Sequence, residues 1–322
     1  MKPQLRWLGT GLAVAGSVAF VAYVVSTLEF GDLSPHLTLR GLAALAGSIL
    51  LYVQIVPLAA LAWQILLGEL GYRGGWSRLN TILLATQAGK YLPGNVAQHL
   101  GRFALSLSIG IPGAVLIASM AYEFVLLLIA DALTAVAASA LSAPGAKLVG
   151  GEPGLVLADV IVGAIAALAA ISVLGKLLPR LMRRFVPEAQ AGGEELVPLR
   201  PLTIARVIVI YIAAMFCVGA SISVLALGLF GTGAADFALL TAAFTIAWAV
   251  GFVTPGAPAG IGVREALLLV MLGPELGAQT ASLLILALRV ATTLGDLLCF
   301  AVGAALLARE RGRDRAEPAS RP

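Results

Sequence analysis

Apolar runs long enough to cross a bilayer constrain this chain more than any other feature. A spanning helix needs ~20 mostly apolar residues. Six stretches meet that length: 8–28, 40–67, 112–141, 154–175, 203–230 and 279–308. Over the 322 residues 60% are hydrophobic and 12% carry charge, against about 25% charged residues in an ordinary soluble domain. A soluble fold of this size has too little interior to hide that much apolar surface. Lipid is therefore the expected solvent for most of the chain. A soluble dinucleotide enzyme, a nucleic-acid-binding domain and a disordered regulator are excluded. The two cysteines, Cys217 and Cys299, and two histidines lie too sparsely for a disulfide framework or a metal site. Neither a metal nor another cofactor is expected.

Two further apolar stretches are broken in the middle. Residues 79–110 are split by Pro93-Gly94, and residues 236–272 by the run from Thr254 to Gly262. Short apolar arms around a Pro/Gly break suit re-entrant hairpins, which enter and leave the bilayer on one side. The rival for the second stretch is that 236–253 crosses fully. With hairpins, Lys and Arg sort by side. Segments 1–7, 69–78, 176–202 and 309–322 hold 14 of the 21 basic residues, while the opposite loops hold Arg40 and Lys147 only. The positive-inside rule then places both termini in the cytoplasm. The first apolar run has no clean small-x-small cleavage site, so a retained helix is expected rather than a signal peptide. Residues 1–308 form one transmembrane domain, and the basic tail 309–322 reads as a disordered, membrane-proximal segment.

A repeat connects the two broken stretches. Pro93-Gly94 is followed after seven residues by Arg102, and Pro255-Gly256 after seven residues by Arg264. A long apolar run precedes and follows each. Units of about 40–141 and 203–308 thus repeat as helix, hairpin, helix. One hairpin is expected to enter from the cytoplasm and the other from outside. Inverted repeats of this kind build transport folds, with the substrate site at the repeat interface. The expected fold class is an all-α polytopic membrane protein, with about six spanning helices and two re-entrant hairpins in inverted topology.

Ionisable residues at membrane depth are costly and are functional candidates by default. The first hairpin offers Lys90, Asn95, Gln98, His99 and Arg102 around the Pro93-Gly94 break. Broken helices free backbone amides, and Arg presents a planar fork to phosphate oxygens. An anionic phosphate group is the natural guest. The bland alternative is that Lys90 and Arg102 snorkel to the headgroups. The second hairpin offers Arg264 and Glu265, with Pro255, Gly256, Gly260 and Gly262 shaping its break. Glu123 and Asp131 lie near one face of the helix at 112–141. Arg289 and Asp296 share a face two turns apart in 279–308. Charge balance between repeats, for example Glu123 with Arg289 or Arg264, is the simplest expectation. Nucleophile elbows, zinc motifs and phosphate loops are absent from the sequence.

Gly89-Lys-Tyr-Leu-Pro-Gly-Asn95 followed by Gly101-Arg102, and Pro255-Gly256 leading to Gly260-Ile-Gly-Val-Arg-Glu-Ala266, resemble the lysylphosphatidylglycerol synthase transmembrane domain family. Its members are often called flippase-like membrane proteins. The resemblance covers about residues 40–308. It implies movement of a lipid between leaflets of a bacterial inner membrane, without the soluble synthase domain of the best-known members. The expected substrate is an anionic (glyco)lipid or a polyprenyl-phosphate-linked lipid, made by a partner enzyme, with membrane lipids around it and no nucleic acid. Lys90, Asn95, Gln98, His99, Arg102, Arg264 and Arg289 would bind it, and Glu123, Asp131, Glu265 and Asp296 would balance charge. Dense small residues in 203–230 also allow a homo-oligomer. The alternatives are a membrane-embedded lipid-phosphate enzyme and a proton-coupled solute transporter similar to the DedA-like hairpin proteins.

Overall fold

The computed structural model describes residues 38–91, 97–148, 199–231, 236–254, 260 and 262–316. Among them no strand occurs, and the elements run in a repeated order. The first unit holds α1 (Leu39–Tyr52), α2 (Ile55–Glu69), α3 (Trp76–Thr86) with a 3-10 turn (Gln87–Tyr91), α4 (Ala97–Ser108) and α5 (Gly113–Ala140). A short helix, α6 (Ala143–Leu148), follows. The second unit holds α7 (Pro201–Phe230), α8 (Phe237–Val253), α9 (Val263–Leu276) and α10 (Ala278–Ala316). Four stretches are long and apolar enough to cross a membrane: Leu39–Glu69, Gly113–Ala140, Pro201–Phe230 and Ala278–Glu310. The chain is an all-α, multi-pass membrane protein. The expected spans at 8–28 and 154–175 lie outside the described residues. So do Pro93, Gly94 and Asn95 of the first break and Pro255 and Gly256 of the second.

Local chemistry sets the helix boundaries. Pro57 has no N–H for Val53 and its ring crowds that carbonyl, so the first long helix breaks between Tyr52 and Ile55. The Glu69 carboxylate caps α7: Oε1 accepts from the Arg200 amide at 3.1 Å, and Oε2 from the Thr203 hydroxyl at 3.0 Å. Asp236 caps α8 by accepting from the Leu239 amide at 2.9 Å. Gly262, with φ of 84°, turns the chain into α9 in a conformation that a side chain would strain. The tail departs from expectation. Helix α10 continues to Ala316, because Arg, Glu and Ala favour helix and nothing stops it at residue 308.

Small residues let the helices approach closely. A Cβ at Gly228 would collide with Ala44, and one at Gly219 with Thr241. At the α1–α7 crossing the Ser48 and Ser221 hydroxyls hydrogen-bond at 2.7 Å. A Cβ at Gly303 would fall 2.6 Å from the Leu84 carbonyl carbon, so α10 lies directly on the α3 backbone. The distribution of side chains is that of a lipid-facing bundle. Leu39, Val209 and Val270 are 85%, 63% and 71% exposed, while Ser48, Ser221 and Thr241 are buried.

Packing between the units is reciprocal. Their first helices pack together, α1 and α2 against α7. The first arm of each unit packs on the last helix of the other, α3 on α10 and α8 on α5. The arms of the first broken segment run side by side in opposite directions. Gly89 abuts the Gln98 backbone, and Gly101 abuts Thr86 one turn further along. Arms α8 and α9 also pack together, with Gly251 close to Gly260 and Arg264. Two hydrophobic cores result. One joins α2, α3, α5 and the start of α7 up to Tyr211. The other joins the end of α7 from Val218 with α8, α9 and α10.

Candidate functional site

Charged side chains gather where the two cores meet. The first group spans both units. Asp296 of α10 is almost fully buried, and its carboxylate accepts three hydrogen bonds. Oδ1 takes Lys90 Nζ at 2.5 Å and the Tyr52 hydroxyl at 3.0 Å. Oδ2 takes the Tyr91 hydroxyl at 2.5 Å. Lys90 Nζ also donates to Tyr52 at 3.1 Å. Sequence explains each position. Tyr52 ends α1 just before the Pro57 break, and Lys90 and Tyr91 end the first arm in its 3-10 turn. Gly295 leaves room for the Tyr52 ring, which a Cβ there would meet at 2.7 Å.

The second and third groups each lie within one unit. Arg102 of α4 donates through Nη2 to Glu123 Oε2 of α5 at 2.5 Å. Its guanidinium lies 3.7 Å from the centroid of the Trp63 ring, and its Nε is buried with no hydrogen-bond partner. In the second unit Glu265 Oε1 lies 3.4 Å from Arg289 Nη1. Glu265 Oε2 accepts from the Gly262 amide at 2.7 Å, so this helix N-terminus is already served by the protein's own carboxylate.

Arg264 stands apart. It forms no salt bridge with a carboxylate among the described residues, and its Nε is buried without a hydrogen-bond partner. A glycine cradle holds it: a Cβ at Gly251 would lie 2.8 Å from Arg264 Cγ, and one at Gly260 2.6 Å from Nε. The Trp248 ring centroid lies 5.4 Å from its guanidinium carbon.

A cavity of about 190 Å³ opens between the cores. Lys90, Gln98, His99, Arg102, Glu123 and Arg264 form its polar wall. Phe124, Leu127, Met215, Val218, Trp248 and Phe252 form its apolar wall. On that side Phe252 stacks on Trp248 at 4.7 Å and meets Phe124 at 4.9 Å, joining α8 to α5. A smaller space of about 30 Å³ adjoins it, lined by Glu265, Arg289 and Asp296 among others. Tyr52, Lys90, Phe244 and Arg264 line both and form the partition.

Most candidates from the sequence thus converge on one place. Lys90, Gln98, His99, Arg102, Glu123 and Arg264 line the larger space; Glu265, Arg289 and Asp296 line the smaller. The expected pairing of Glu123 with Arg289 or Arg264 is overturned. Glu123 takes Arg102, because α4 and α5 are antiparallel neighbours joined by a short turn, and Arg289 takes Glu265. Charge does cross between units, but through Lys90 and Asp296. Asp131 shares the α5 face with Leu127 yet lies beyond the cavity wall, fully buried and with neither carboxylate oxygen hydrogen-bonded. Asn95 lies outside the described residues. Sequence reasoning passed over Tyr52, Tyr91, Trp63 and Trp248. Their signal was available, since a Tyr or Trp inside an apolar run brings a polar tip that must be satisfied. No family model matches the chain, and no curated protein matches it.

Proposed function

We propose that this protein is a transporter that moves a phosphate-bearing lipid between membrane leaflets. The two broken segments are re-entrant hairpins that enter from opposite faces, as in inverted-repeat transporters. The membrane is a bacterial inner membrane and the termini lie in the cytoplasm. One observation carries this reading: a single cavity at the junction of the units has a cationic wall and an aromatic-apolar wall. An amphiphile has the same division. Its phosphate meets Arg264, Lys90 and Arg102, while its chains leave past Phe124, Trp248 and Phe252 into lipid. A small soluble anion would have no use for the second wall. An enzyme acting on the phosphate would need an activated nucleophile or base beside the arginines. Glu123, the carboxylate nearest Arg102, is instead held in its ion pair.

The direct test is translocation in proteoliposomes, using phosphatidylglycerol with a fluorophore on its headgroup and an impermeant quencher outside. Protein-dependent exchange with the lipid recovered chemically intact is expected. Exchange equal to that of protein-free vesicles, or recovery of a cleaved product, contradicts the proposal.

A further inference from the structure

We infer that Asp131 is a proton-binding site, and that a proton bound there travels with each anionic lipid. The inference rests on the lipid-transport reading and supplies its driving ion.

Asp131 lies on α5 two turns beyond Glu123 and one turn beyond Leu127, both of which line the cavity. Its side chain is fully buried, and neither carboxylate oxygen has a hydrogen-bond partner. No cation among the described residues stands within salt-bridge distance of it. The other acids of the site are engaged: Asp296 by Lys90 and two tyrosines, Glu123 by Arg102, and Glu265 by Arg289 and the Gly262 amide.

The groups around Asp131 come from several elements. Arg264 of α9 acts on it through space, beyond contact distance. Tyr211 of α7 lines the cavity and stands within electrostatic range of both Glu123 and Asp131, so its hydroxyl is the link for a proton between the two. Arg206 of α7 is exposed. Arm α8, packed along α5, carries no titratable side chain. On α2, Glu69 is taken up in capping α7; on α6, Lys147 is exposed and paired with Glu275. His99 of α4 belongs to the cavity wall.

A carboxylate shut in an apolar interior without a donor is costly, and such a group takes up a proton rather than stay charged. A bare guanidinium nearby acts the other way and favours the ionised form. The charge on Asp131 therefore follows what Arg264 holds. In the empty site, Asp131 is the distant counter-charge of Arg264. When a lipid phosphate settles on Arg264, its negative charge takes over that role. The Asp131 carboxylate then binds H+ from the side on which the lipid entered and becomes the neutral acid. The proton leaves when the lipid does. The two added charges cancel, so loading leaves the net charge of the site unchanged. Linkage is reciprocal: a proton on Asp131 strengthens anion binding by the same factor, which lets a proton gradient drive the lipid.

The experiment is proton uptake by the purified full chain in weakly buffered detergent. A soluble pH dye is read as phosphatidylglycerol is added, with protein-free micelles as the blank, from about pH 6 to 9. At the best pH, uptake is expected to reach at least about half a proton per lipid bound, the amount that a tenfold change in proton affinity produces. Asp131→Ala and Asp131→Asn cannot take a proton there, and uptake per lipid should fall at least about fivefold in each, to what the remaining groups give. Lipid binding should be kept or tightened, because no carboxylate at 131 then competes for Arg264. Asp131→Ala strands no partner, so it folds even where a buried amide does not fit. Binding by the wild type without proton uptake, or uptake undiminished in the variants, which places the proton on His99 or another wall group, overturns the inference while lipid transport stands. If the wild type binds no phosphatidylglycerol, the transport reading falls and the inference with it.

Discussion

Asp296→Ala is expected to destabilise the protein by about 3–5 kcal/mol, the usual consequence of removing one member of a buried ion pair. The carboxylate accepts from Lys90, Tyr52 and Tyr91 at once. Its loss strands an ammonium and two phenols in a space that offers no other acceptor of that strength. The effect should be read as a fall in thermal midpoint of the detergent-solubilised protein. Pairing it with Lys90→Met separates the cause from simple loss of volume. The double variant removes both charges, and replacing a buried pair by apolar groups is often close to neutral. Recovery of most of the stability is expected in Lys90→Met/Asp296→Ala. A double variant as unstable as the single one would show that the pair is not what ties α10 to the first broken segment.

The second large effect separates two arginines that occupy matching places in the sequence repeat. Arg264→Ala should lower phosphatidylglycerol binding by at least about tenfold, since a hydrogen bond to a charged group contributes about 1.5–3 kcal/mol. It should cost less stability than Arg102→Ala, because no carboxylate among the described residues lies within salt-bridge distance of Arg264. Arg102→Ala should cost more. It leaves Glu123 unpaired and uncovers the Trp63 ring, a loss of about 3–5 kcal/mol where the partner charge stays buried. Binding and thermal melts on both variants check this. Equal destabilisation by the two changes would mean that Arg264 has a structural partner as firm as that of Arg102.

The contrast marks how far the sequence could be read. The long helices were legible because twenty apolar residues in lipid have few alternatives. Stretches 112–141 and 203–230 became Gly113–Ala140 and Pro201–Phe230 within two residues. The arms beside each break were legible from the same apolar runs, which became α3 with α4 and α8 with α9. Arg102 and Arg264 could be found by spacing alone. Their different fates could not. Spacing along one helix says which residues share a face, but not which neighbour that face meets. Arg102 meets Glu123 through a short antiparallel turn, whereas the Arg264 guanidinium lies beside Trp248, against Gly251 and Gly260. The bend at Pro57, in a segment read as one helix over 40–67, was visible in the sequence as a proline. Its consequence was not: it ends α1 at Tyr52, which then closes the partition between the two spaces.

All of this depends on the two hairpins entering the bilayer from opposite faces and sharing one anion site. Single-cysteine labelling in right-side-out and inside-out vesicles measures it most directly, with Cys217 and Cys299 first replaced by Ala. Ser77→Cys and Ser108→Cys flank the first hairpin, and Gln279→Cys flanks the second; all three positions are exposed. An impermeant maleimide is expected to label positions 77 and 108 from the cytoplasmic side only, and position 279 from the opposite side only. Labelling of all three from the same side would contradict the inverted arrangement and the shared site with it.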